Sequence, residues 1–142
     1  MTAPEAPEVY GYGQTLTILV VEDDVATAEL VRVLLNQVPG WGATVVHDAA
    51  AAAEVFKHVR VEVLVLDVNL PGISGVMLLE LLRRSPDWHE PPVILMTAVP
   101  DQPAVRDVLA RDTAVRLLAK PFDVDDLVTL VHQAAADLQS AR

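Results

Sequence analysis

Cysteine is absent from the 142 residues of this chain. That excludes disulfide staples, thiolate nucleophiles and cysteine-held metals together, and it suits the reducing cytoplasm in which the chain is expected. Aromatic residues make up only 4% of the sequence, but Val, Leu, Ile and Ala bring the apolar share to 52%, so a full core can form without covalent help. Positive charge is scarce too: ten Lys and Arg stand against twenty Asp and Glu, for a net charge of −10. A surface of that sign repels polyanions, and the basic residues form no cluster, so direct contact with nucleic acid is not expected. No apolar run approaches the roughly 20 residues that cross a bilayer. The opening MTAPEAPEVYGYG has neither the basic start nor the apolar middle of a secretion signal. Its Pro4, Pro7, Gly11 and Gly13 suggest a flexible arm over residues 1–15, ahead of a single domain over residues 16–140.

What is present is a regular alternation of short apolar runs with longer helical periods. Leu16 to Val21 reads as a strand buried on both faces, because its apolar residues are continuous. Asp24 is expected to cap a helix with Leu30, Leu34 and Val38 at helical spacing, ended by Pro39 and Gly40. A second strand is expected over 43–47 and an alanine-rich helix over 49–58. Residues 61–66 form a third buried run ending at Asp67. Ser74 then caps a helix with Val76, Leu79 and Leu82 along one side, broadened by Met77, Leu78 and Leu81. A fourth strand over 93–96 ends at Thr97, and Pro100 and Asp101 open a short helix containing Val105 and Val108. Val115, Leu117 and Leu118 supply a fifth strand that stops at Lys120 and Pro121, and the last helix starts at an Asp123 cap. Five such units predict an α/β fold with a five-stranded parallel sheet covered on both faces.

In folds of this kind chemistry gathers beyond the carboxyl ends of the strands. The polar residues fall there: Glu22, Asp23 and Asp24 after the first strand, Asp67 after the third, Thr97 after the fourth and Lys120 after the fifth. Clustered carboxylates repel one another unless a cation neutralises them, so the arrangement asks for a metal. With only oxygen donors in these turns, a hard ion, Mg²⁺ or alternatively Mn²⁺, is preferred over zinc. Lys120, one of two lysines, can pair with Asp67 at rest and with a phosphoryl oxygen afterwards, and Thr97 can donate a hydroxyl hydrogen bond to the same group. The chemistry that follows is attack of the Asp67 carboxylate on phosphorus to form an acyl phosphate.

The segments LTILVVEDD, VEVLVLDVNLPGISG, PPVILMTA and LLAKPF, in this order over residues 16–138, resemble the receiver domains of two-component response regulators. The resemblance implies a CheY-like, flavodoxin-like sheet of order 2-1-3-4-5 between five helices. It implies Asp67 as phosphoacceptor and metal ligand, Asp23 as a direct Mg²⁺ ligand, Glu22 acting mainly through water, and Asn69 giving its backbone carbonyl to the metal. Thr97 becomes the switch hydroxyl and Lys120 the phosphate-pairing lysine before a cis Pro121. The implied donor is a histidine kinase or a phosphotransfer protein, docking on the first helix beside Leu30, Val31 and Leu34. The implied output is a change in partner binding, or in homodimerisation through the fourth helix, fifth strand and fifth helix. Only self-phosphorylation and self-dephosphorylation are expected, without turnover of an independent substrate.

Three positions depart from the family pattern. Leu117 stands where a switch aromatic is usual, Arg116 where an acid is common and Thr113 where a glycine is common. Leucine cannot present a hydroxyl to a partner, so the usual threonine-aromatic relay is in question. Val99, two residues beyond Thr97, cannot activate water, which predicts unhurried dephosphorylation. A constitutive, phosphate-independent binding module is the alternative reading. An aspartyl-phosphate hydrolase would need a second acid where Asn69 stands. Asp24 is expected as a cap rather than a ligand. The histidines at 47, 58, 89 and 132 have no ligand spacing and follow no strand end, which leaves them surface or packing roles, and Trp41 and Trp88 lie in loop-like contexts.

Overall fold

The structure, a computed structural model, describes residues 15–140, so the expected arm lies almost wholly outside the described residues. The apolar runs form β1 (Leu16–Val21), β2 (Trp41–Val46), β3 (Val63–Asp67), β4 (Val93–Thr97) and β5 (Val115–Ala119). Between and after them come α1 (Val25–Asn36), α2 (Ala49–His58), α3 (Gly75–Arg83), α4 (Pro103–Arg111) and α5 (Val124–Ser140). All pairings between these strands are parallel and the strand order is β2-β1-β3-β4-β5, as the resemblance implied.

Side chains alternate across the sheet and feed two cores. Leu19, Val21, Leu64, Leu66 and Leu95 pack under α2, α3 and α4. Ile18, Val20, Val65, Ile94 and Met96 pack under α1 and α5. Every residue of β3 and β4 is buried, whereas the edge strands β2 and β5 are only partly covered. Full burial of one such aliphatic side chain contributes about 1.5–3 kcal/mol, so the central strands are the firmest base a strand-end site can have.

Three helices start from side-chain caps. Asp24 accepts from the Thr27 N–H at 2.9 Å and from its hydroxyl at 2.6 Å, Asp48 from the Ala51 N–H at 2.8 Å and Ser74 from the Met77 N–H at 3.2 Å. Asp24 is thus a cap, as expected. The fourth helix begins later than Pro100: Pro103 takes its first position, where the lost N–H costs nothing, and Gln102 precedes it without capping through its side chain.

The inward face of α1 also differs from expectation. Ala28, Val31 and Leu35 are buried, while Leu30 and Val33 are exposed and Leu34 is half-buried. Trp41 is not in a loop; it opens β2, buried with its ring centroid 4.6 Å from that of His132. Trp88 does lie in the connection to β4, where it stacks on Phe56 at 5.6 Å.

Candidate functional site

A parallel sheet clothed on both faces opens to solvent at its strand ends, and here the carboxyl ends hold the polar residues. Glu22 and Asp23 follow β1, Asp67 closes β3, Thr97 closes β4 and Lys120 follows β5. Carboxylate oxygens of Glu22, Asp23 and Asp67 all lie within 4.8 Å of one another. The Lys120 ammonium reaches across to them, 2.6 Å from Glu22 Oε1 and 3.4 Å from Asp67 Oδ2. The Asn69 N–H donates to Asp67 Oδ1 at 3.1 Å, which fixes the turn after β3 and one edge of the carboxylate. Glu22 and Asp67 are buried, whereas Asp23 and Asn69 are exposed at the mouth.

Three acids against one ammonium leave the cluster short of positive charge. Burial drives the Glu22 carboxyl upward, the Lys120 and Asp24 hydrogen bonds oppose this, and the neighbouring Asp67 carboxylate adds to the rise; the balance lies above the ordinary value. For Lys120 burial acts downward, but the hydrogen bond to Glu22 and the charges of Asp67 and Glu22 outweigh it and hold the ammonium above its usual range. A surplus of carboxylate oxygen, with one carboxylate open to solvent, fits a small hard divalent cation and not a soft one.

Thr97 reaches the rim but its hydroxyl is engaged elsewhere. The side chain is fully buried, and Oγ1 accepts from the Val99 N–H at 3.0 Å and from Gln102 Nε2 at 3.2 Å. The backbone joins it to the amine, since the Lys120 N–H donates to the Thr97 carbonyl at 2.8 Å. The Lys120-Pro121 bond is cis, as the resemblance implied. Of the departures, Leu117 is half-buried, Thr113 is exposed, and Arg116 makes an ion pair with Asp137 of α5 at 2.7 Å. Val99 is exposed beside the site loop.

Three further residues, Gly75, His47 and Gln102, support the site. A Cβ on Gly75 would stand 2.2 Å from the Asp67 carbonyl oxygen, so α3 begins pressed against the backbone of the acid and only hydrogen fits there. Its sign in the sequence was a glycine just inside a capped helix, a position with no propensity reason to hold one. His47 follows β2 directly, contrary to expectation, and its Nδ1 lies 2.9 Å from the Glu22 carbonyl, where it steadies the acidic turn. Gln102 had no sequence signal, because its role depends on where Thr97 lies in space.

The sequence matches the family described as response regulator receiver domain over residues 18–132. The chain belongs to this family. Membership of this family is consistent with a phosphoacceptor switch of two-component signalling. The probable transcriptional regulatory protein TcrX of Mycobacterium tuberculosis is 38% identical over 118 residues, which are 82% of this chain and 48% of TcrX. The chain therefore spans about half the length of the curated relatives it matches. Among solved structures, a putative response regulator from Chloroflexus aurantiacus has 29% identity and a TM-score of 0.70, with 87% of this chain and 99% of that one covered.

The receiver domain of a sensor histidine kinase from Pseudomonas aeruginosa, whose structure has magnesium coordinated in the active site cleft, shares the fold. Its TM-score is 0.74 at 24% identity, and the match covers 86% of this chain and 98% of that one. Some longer relatives are named as DNA-binding regulators; for this receiver domain the expectation of no nucleic-acid contact rests on its charge. Among the described residues no helix is long and apolar enough to cross a membrane.

Proposed function

We propose that Asp67 takes a phosphoryl group from the phosphohistidine of a histidine kinase or phosphotransfer protein, and that the product alters how this receiver domain meets its partners. The observation that carries this reading is the Asp67 carboxylate, buried at the end of β3 within reach of two further acids and one ammonium. An Asp67 oxygen attacks phosphorus, the bond from phosphorus to the donor imidazole nitrogen breaks, and its electron pair stays on that nitrogen. Glu22, Asp23, Asp67 and the Asn69 carbonyl would hold Mg²⁺, which when bound supplies positive charge to the equatorial phosphoryl oxygens.

Lys120, already an ammonium beside Asp67, pairs with a phosphoryl oxygen as negative charge leaves the carboxylate. Thr97 donates its hydroxyl hydrogen to another. A shift in an existing equilibrium of α4, β5 and α5 then changes homodimerisation or partner affinity. The alternative of a phosphate-independent module has no observation of its own in its favour.

The test is incubation with a small acyl phosphate and Mg²⁺, followed by intact mass. One phosphate should be added to Asp67, with none in Asp67→Asn and none after chelation. No mass gain with that donor and with a cognate kinase would overturn the reading.

A further inference from the structure

We propose that Gln102 is a latch between the Thr97 hydroxyl and the first turn of α4, and that it carries the phosphorylation state outward in place of an aromatic at position 117. The inference rests on the phosphoacceptor reading of Asp67. Gln102 occupies the capping position of α4 yet makes no cap with its side chain. Its amide turns back instead, donating to Thr97 Oγ1 at 3.2 Å and to the Val99 carbonyl at 3.1 Å.

The main chain of the same residue holds the helix. Its carbonyl accepts from the N–H groups of Val105 and Arg106, both at 3.1 Å, and Val105 is fully buried under β4 and its neighbours. One residue thus grips the switch hydroxyl with its side chain and the start of α4 with its backbone. The remaining element of the usual relay is missing, because Leu117 is half-buried and has no polar group.

The hydrogen-bond count at Thr97 gives the latch a direction. A hydroxyl oxygen has two acceptor sites and one hydrogen to give. The Val99 N–H and the Gln102 amide occupy both acceptor sites, so the hydroxyl hydrogen is the one capacity left, and donation to a phosphoryl oxygen is the one further bond it can form. When Thr97 moves to make that bond, the longer of its two accepted bonds, the one from Gln102, is the first to part. The first turn of α4, which has no side-chain cap in reserve, then loosens.

Amide hydrogen exchange at Val105 and Arg106 reads this directly, with β3 and β4 amides as the control for global opening. In the resting protein Gln102→Met, which keeps the length and loses the donor, should speed exchange at the two amides about tenfold. Thr97→Val should do the same, and Gln102→Met in the Thr97→Val background should add less than about twofold, the mark of coupled residues. Acyl phosphate with Mg²⁺ should speed exchange in the wild type and leave Gln102→Met where it already is.

Rates within about twofold of wild type in Gln102→Met, or equal increments in both Thr97 backgrounds, would overturn the latch. So would a phosphorylated wild type that exchanges as at rest. If Asp67 gains no phosphate, the phosphoacceptor reading fails by mass while the resting-state cycle still decides whether Gln102 couples Thr97 to α4.

Discussion

The two ends of the switch are built to different standards. Around Asp67 the chain is over-determined: β3 is wholly buried, α3 starts from a Ser74 cap, and Gly75 lets that helix lie directly on the Asp67 backbone. On the α4 and β5 flank the helix has no side-chain cap, the strand is an edge only partly covered, and an ion pair between Arg116 and Asp137 reaches over to α5. The contrast suits the labour of each end. In-line attack needs carboxylate and amine held still, whereas a readout needs a region whose alternatives lie within a few kcal/mol of each other.

That contrast can be broken from the rigid side first. Lys120→Met removes the one ammonium that the described residues place beside two buried carboxylates and should cost the metal-free protein about 3 kcal/mol in denaturant unfolding above neutral pH, with Mg²⁺ returning part of the loss. Because the folded-state Glu22 carboxyl lies above its ordinary 4.5, its contribution is fully present below that value and lost as pH rises through the folded pKa. Metal-free wild type should therefore lose stability on that rise and Mg²⁺ should flatten the profile, as unfolding midpoints with and without chelator would show.

Gly75→Ala should cost about 2 kcal/mol by overpacking and should also slow phosphate uptake on Asp67, because the backbone of the acid must move. A stability loss with unchanged uptake would mean that α3 gives way instead. Ser74→Ala should cost about 1 kcal/mol for the lost cap, measurable by chemical denaturation. On the loose side Arg116→Ala should cost at most about 1 kcal/mol, and less in high salt, since its pair with Asp137 is only half-buried; a larger loss would show that the output flank is stiffer than its surface suggests.

The sequence displayed the sheet because parallel strands buried on both faces must be apolar without interruption, and β1, β3 and β4 are. It displayed the acids and the amine for a related reason: a polar residue directly after such a run has no place except the rim. What it concealed was decided by competition among similar residues. In α1, apolar side chains at 30, 31, 33, 34 and 35 cover more than half of the helix circumference, and small Ala28 holds the inward face while Leu30 is exposed. Pro100 and Pro103 both suit a helix start, and only packing of Val105 chose between them. Trp41 lies beside Pro39 and Gly40, which read as a loop, yet pairing with Leu16 makes it strand. Gly75 and Gln102 act through neighbours distant in space, Asp67 for one and Thr97 for the other, which no local pattern reports.

The two tryptophans have a practical consequence. Trp41 opens β2 and touches His132 in one helical layer, while Trp88, in the connection before β4, stacks on Phe56 in the other. Trp41 stands at a strand start, some five residues of extended chain and so about 15 Å from the acids at the opposite ends, and Trp88 lies on the same side of the sheet, lining a pocket with Val61 and Glu62 just ahead of β3. Intrinsic fluorescence sums the two indoles, so each layer is followed separately only in single-tryptophan variants, and the signal should stay nearly silent as magnesium titrates in; an optical assay of metal loading needs a dye or a new indole placed at the acidic mouth.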